Sequence, residues 1–125
     1  MILEGHRATS LGGGTDGDLL RKGPVHYGFT PLPGAGRPFA VAGHRTTFLA
    51  PFYDLNKLHA GDGITVTTPY GEFTYSVVKL TEVKPSDTSV LLDRGFDLVL
   101  TTCNPVGYAS QRLIVWAKLE SFAFR

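Results

Sequence analysis

The chain has one cysteine, Cys103, in 125 residues, so no disulfide can form within it. A zinc centre would have to rest on that one thiolate and scattered histidines. Cysteine usage leaves the redox compartment open. Charged residues make up only 18% of the chain and nearly cancel, 12 basic against 11 acidic, with the basic ones dispersed. Nothing supplies the basic stripe that phosphate-backbone binding requires, so nucleic acid is not an expected partner. No run of about 18 apolar residues occurs. The start, Met1-Ile2-Leu3-Glu4-Gly5-His6, lacks the charged opening and apolar stretch of a signal peptide, and the chain as given is expected to be soluble.

Several catalytic signatures are missing as well. There is no G-x-S-x-G elbow, no Walker-type loop and no H-E-x-x-H pair, and Gly12-Gly13-Gly14 lacks the strand and helix a dinucleotide site needs. No catalytic metal and no cofactor are expected.

What is present is an ordinary globular composition, 42% apolar, in a length that fits one core; residues 1–125 are read as a single domain. Fifteen glycines and eight prolines cut the chain into short pieces rich in Val, Ile, Thr, Tyr and Phe, which predicts an all-β fold. The clearest alternation is Glu72-Phe73-Thr74-Tyr75-Ser76-Val77. With Ile64-Thr65-Val66-Thr67 across Pro69-Tyr70-Gly71 it reads as a hairpin that turns Phe73, Tyr75 and Val77 to the core. Further strands are predicted over 39–43, 97–103 and 111–119, whose longer apolar content predicts burial on both faces or closure into a barrel. Helical signal is thin. Phe52, Leu55 and Leu58 at threefold spacing after Pro51 predict one short helix over 51–59, and 16–22 a further single turn. Gly12–Gly14 and Pro31–Gly36 read as loops.

Cys103 ends the strand Leu98-Val99-Leu100-Thr101-Thr102, directly before Asn104-Pro105, a dipeptide that turns the chain out of a strand. A lone cysteine is most often a small buried hydrophobe. Arg112 opens the next strand, and if the two are antiparallel neighbours, as consecutive strands often are, Cys103 and Arg112 share a rim. Taken alone, an arginine at the edge of an apolar strand is more often a solvated rim charge. His44 closes Phe39-Ala40-Val41-Ala42-Gly43 before Arg45-Thr46-Thr47, at another strand end, where it could merely cap a turn.

Three segments in order, Ala42-Gly43-His44-Arg45-Thr46-Thr47 with Ala50-Pro51-Phe52, then Leu100-Thr101-Thr102-Cys103, then Gln111-Arg112-Leu113-Ile114-Val115, resemble the sortase family. They look most like the class E sortases of high-GC Gram-positive bacteria, whose upstream segment Arg21-Lys22-Gly23-Pro24 and His26-Tyr27 also resemble. One position departs: Val99 stands where the family's T-L-x-T-C strand has its first threonine, a β-branched exchange that preserves a strand. The resemblance implies a sortase-like closed barrel of about seven to eight strands with one or two short helices. Its first strand is in question, because Met1 to Gly14 is short and glycine-rich where relatives carry a membrane anchor and a first strand.

The resemblance further implies a cysteine transpeptidase with Cys103 as nucleophile, His44 as acid and base, and Arg112 on the oxyanion. Thr102, Arg45 and Thr46 would lie beside the peptide. The expected substrate is an L-(P/A)-x-T-G sorting motif cut between Thr and Gly, and the expected acceptor is an amine of a cell-wall peptide or a pilin lysine. The place implied is the extracellular face of the membrane. Two alternatives stand beside it: a hydrolytic cysteine peptidase using the same residues, and a catalytically silent β-barrel that binds extended peptides.

Overall fold

The structure, a computed structural model, describes residues 3–4, 24–28, 30–35, 37–43, 52, 54–84, 86–92, 95–104 and 111–124. Of Leu3, Glu4, Cys103 and Asn104 it describes the backbone alone. The strands are β1 (Leu3–Glu4), β2 (Val25–His26), β3 (Phe39–Ala42), β4 (Gly63–Thr68), β5 (Gly71–Val83), β6 (Leu98–Asn104) and β7 (Gln111–Phe124). They form one seven-stranded sheet in the order β1-β2-β3-β6-β7-β5-β4, curled into a half-barrel, as the all-β expectation requires. β1 runs parallel to β2 and β3 parallel to β6, while the other neighbours are antiparallel.

The predicted hairpin is β4–β5, closed where Thr68 pairs with Gly71. The Thr68 hydroxyl reinforces this turn, donating to the Gly71 carbonyl at 2.9 Å. Phe73, Tyr75 and Val77 face one side of the sheet and are buried with Phe39, Val41, Leu98, Leu100, Leu113 and Val115. Burying a Phe or Val side chain completely is worth about 1.5–3 kcal/mol, so this face supplies much of the drive to fold. Gly34, in the predicted loop at positive φ of 89°, lies where a side chain would meet the Phe73 ring at 2.9 Å.

The alternation of β5 does not run through unbroken. A register shift between Val77 and Lys79 inserts Val78 as an extra, exposed residue. Past it the phase reverses: Leu80 opposes Val115, and Val83 opposes Arg112. A bulge of this kind bends the strand and re-aims its side chains. It turns Val83 to the second apolar face, where Ala40, Ala42, Val99, Ile114 and Trp116 are buried with Val25, Tyr27, Val90 and Leu91. β6 and β7 are thus covered on both sides, as their continuous apolar runs predicted.

The helix predicted over 51–59 shrinks to a 3₁₀ turn, Leu55–Lys57, with Leu55 buried and Phe52 and Leu58 packed against the first cluster. The threefold spacing came from packing onto the sheet; so short a segment cannot offset the cost of nucleating an α-helix. A second 3₁₀ turn, Thr88–Leu92, covers the other face through Val90 and Leu91. The turn predicted over 16–22 and the loop Gly12–Gly14 lie outside the described residues. No helix of the described residues is long and apolar enough to cross a membrane.

Candidate active site

The ladder between β6 and β7 pairs Thr102 with Leu113, Cys103 with Arg112 and Asn104 with Gln111. Residues directly opposed in an antiparallel ladder share a face, with Cβ atoms about 4.5–5.5 Å apart. Cys103 and Arg112 are therefore cross-strand partners near the last rung before the chain leaves β6. Arg112 is only 9% exposed, so it is not a solvated rim charge. A guanidinium withdrawn this far from water is retained where donors find acceptors. One of them, Nη1, donates to the Gln111 carbonyl at 3.2 Å.

β3 lies on the other side of β6, with Ala42 level with Thr101. The Gly43 N–H donates to the Thr101 carbonyl at 3.1 Å, and the Thr102 hydroxyl donates to the Gly43 carbonyl at 2.8 Å. Thr102 is buried, and its side chain braces β3 against β6. One peptide bond separates Gly43 from His44. His44, Arg45 and Thr46 lie outside the described residues, as does the side chain of Cys103. Three strands thus converge here: β6 carries Cys103 at its last rung but one, β7 carries Arg112 opposite it, and β3 runs into Gly43 beside Thr101 and Thr102.

Beneath this rim the polar groups are paired. The Tyr27 and Thr101 hydroxyls lie 2.7 Å apart, tying the segment after β2 to the residue two before Cys103. Thr30 donates its hydroxyl proton to the Tyr27 carbonyl at 2.8 Å, so towards His26 Nε2, 2.9 Å away, it can only accept. That places a proton on His26 Nε2. The ring is buried and lies 4.8 Å from that of Phe39, an arrangement that holds β2 to β3. Among the described residues no group of three His, Cys, Asp or Glu side chains could hold a metal ion. The Tyr27–Thr101 pair and the packing of Phe52 were not legible as site features. Their only trace in the sequence is that Tyr27, Thr101 and Phe52 all fall in the segments carrying the family resemblance.

Residues 2–120 match the Sortase domain family model. The chain belongs to the sortase family. It is 39% identical over 110 residues to sortase D of Bacillus subtilis (strain 168), covering 84% of this sortase chain and 54% of that protein. Among solved structures, sortase E from Streptomyces avermitilis superposes with a TM-score of 0.79 at 38% identity, covering 98% of this chain and 79% of that one. Sortase E1 from Streptomyces coelicolor, solved with a tripeptide in its active site, gives 0.82 at 33% identity, covering 99% and 82%. This sortase chain spans about half the length of sortase D.

Proposed function

We propose that residues 1–125 form one catalytic domain, a cysteine transpeptidase in which Cys103 is the nucleophile, His44 the acid and base, and Arg112 the oxyanion partner. The observation that carries this reading is the cross-strand pairing of Cys103 with a buried Arg112. The anchoring of Gly43, the residue before His44, beside Thr101 and Thr102 supports it.

The Cys103 thiolate attacks the carbonyl carbon of the substrate threonine, forming a carbon–sulfur bond, while Arg112 stabilises the developing oxyanion. The carbon–nitrogen bond to glycine then breaks as His44, an imidazolium, gives its proton to the departing amine. An incoming amine attacks the thioester, His44 takes its proton, and the thiolate is released. Sulfur is not oxidised, and one amide replaces another. With ordinary values near 8.5 for the thiol and 6.5 for imidazole, about one per cent of molecules hold the thiolate–imidazolium pair at pH 7.5. A neighbouring guanidinium enlarges the thiolate fraction.

The substrate we assign is an L-(P/A)-x-T-G sorting motif of a surface protein, read alongside Thr102, Arg45 and Thr46. The acceptor is an amine of a cell-wall peptide or a pilin lysine, and the work is done at the outer face of the membrane. Incubation with L-A-x-T-G and L-P-x-T-G peptides and triglycine, with products weighed by mass spectrometry, tests this. A ligated product supports transpeptidation. Hydrolysed peptide alone makes the protein a peptidase, and thiol labelling of Cys103 with no turnover makes it a silent peptide binder.

A further inference from the structure

One rung of the sheet reads Val83, Arg112, Cys103 across β5, β7 and β6. A single extra residue decides its first member. Up to the bulge the β5–β7 rungs run to Val77 opposite Ala117, and past it they resume with Lys79 opposite Trp116. Were the ladder to run on without the skip, Val78 would oppose Trp116 and Glu82 would oppose Arg112. Directly opposed residues share a face with Cβ atoms about 4.5–5.5 Å apart, near enough for a carboxylate to pair with a guanidinium. The bulge sends Glu82 instead to the rung of Leu113, on the other face of the sheet, where it is exposed. Arg112 receives Val83, which packs against the second apolar cluster.

Side chains on both faces hold the bulged register. On the second face Lys79 Nζ lies 5.4 Å from the centre of the Phe96 ring and 5.5 Å from that of Trp116, and the Trp116 indole N–H donates to the Thr81 hydroxyl at 2.8 Å. On the first face Leu80 packs against the cluster that holds Leu113 and Val115. In the slipped register Lys79 would enter that apolar face and Leu80 would leave it. An ammonium placed among apolar side chains carries a heavy desolvation cost, so the slipped register is disfavoured.

We propose that Val83 is a positioning residue for Arg112: the bulge at Val78 sets it in the place where Glu82 would otherwise stand, so that this carboxylate does not compete with the substrate oxyanion for the guanidinium; this rests on the role assigned to Arg112 above. A carboxylate on this rung would draw the guanidinium to itself and raise the ionisation of the thiol that shares the rung. A valine that served packing alone would not distinguish charge. Glutamate and glutamine, nearly equal in shape, would then act alike.

The test compares the parent with Val83→Glu, Val83→Gln and Val83→Lys, with Arg112→Gln as the reference for a lost guanidinium. It measures kcat and KM for amine-dependent transfer, the thermal midpoint, and the rate of alkylation of the single thiol by iodoacetamide across pH, which reads thiol ionisation whether or not peptide turns over. In Val83→Glu we expect kcat to fall on the order of tenfold to a hundredfold with little change in KM, and the alkylation profile to move to higher pH, as in Arg112→Gln. In Val83→Gln the loss stays severalfold at most and the profile matches that of the parent. Should Val83→Glu not fold, Val83→Lys decides: an added positive charge on the rung moves the profile to lower pH, and a profile it leaves unmoved counts against the proposal. Equal losses in Val83→Glu and Val83→Gln would overturn it, as would an alkylation profile indifferent to the charge at position 83. If the parent shows no amine-dependent transfer, the proposed function falls, and the alkylation profiles still decide whether position 83 acts on this rung.

Discussion

Cys103 and Arg112 face each other across the β6–β7 ladder, and the arginine of the pair is buried. The pairing sets Arg112, which carries a planar, permanently charged donor fork, directly across the ladder from the backbone of Cys103. If that fork binds an oxyanion, its shape matters as well as its charge. Arg112→Lys should keep the fold and lose most turnover, because an ammonium cannot reproduce the fork. The expected loss is about a hundredfold to a thousandfold in kcat, the cost of removing one well-placed oxyanion donor. Turnover and thermal midpoint measured beside the parent check it; near-parental turnover at unchanged stability removes Arg112 from the catalytic set.

Cys103→Ala should abolish acyl transfer and leave the thermal midpoint close to that of the parent. The substitution takes away the only thiol and fills nearly the same volume. Mass spectrometry of the parent quenched in acid should find the acyl group on Cys103, and the variant should carry none.

The dependence of kcat/KM on pH should be bell-shaped, because the first step needs an ionised thiol and a protonated imidazole together. Below the peak the thiol is protonated, and above it the imidazolium is lost. With ordinary values the peak falls at about pH 7.5. A flat profile between pH 6 and 9, or full activity in His44→Ala, contradicts the assignment.

Tyr75→Phe should stabilise the protein. Tyr75 is fully buried on the first apolar face, and its hydroxyl has no hydrogen-bond partner among the described residues. An unmet buried hydroxyl costs about 1–3 kcal/mol, which phenylalanine removes. Burial, then the nearby charge of Asp97, then Tyr70, push the ionisation of this hydroxyl above the usual tyrosine range. The folded chain thus holds that proton more tightly than the unfolded chain. Its contribution is fully present below about pH 10 and is lost as the pH climbs beyond it, where the unfolded form ionises first. Denaturant melts at pH 8 and pH 11 should show a smaller alkaline loss in Tyr75→Phe than in the parent.

Much of this was legible in the chain because it is local. The alternation of Phe73, Tyr75 and Val77 assigns a face, and the hairpin follows from the Pro69-Tyr70-Gly71 turn between two β-rich runs. The short loop from Cys103 to Arg112 made β6 and β7 neighbours, so a shared rim could be expected. Tertiary structure decided the rest. The parallel pairing of β3 with β6 joins segments some sixty residues apart in sequence, as in the Thr102–Gly43 hydrogen bond, and no local pattern specifies a distant partner. The bulge at Val78, which turns Val83 to the side of Arg112, left no mark in composition. The ring of Phe52 on Gly43 could not be foreseen, because a glycine spells permission for close approach without naming what approaches. Periodicity in a sequence records which side of an element is buried; which elements bury one another is set by the collective packing of the two apolar faces. Here that packing brings the end of β3 to the end of β6.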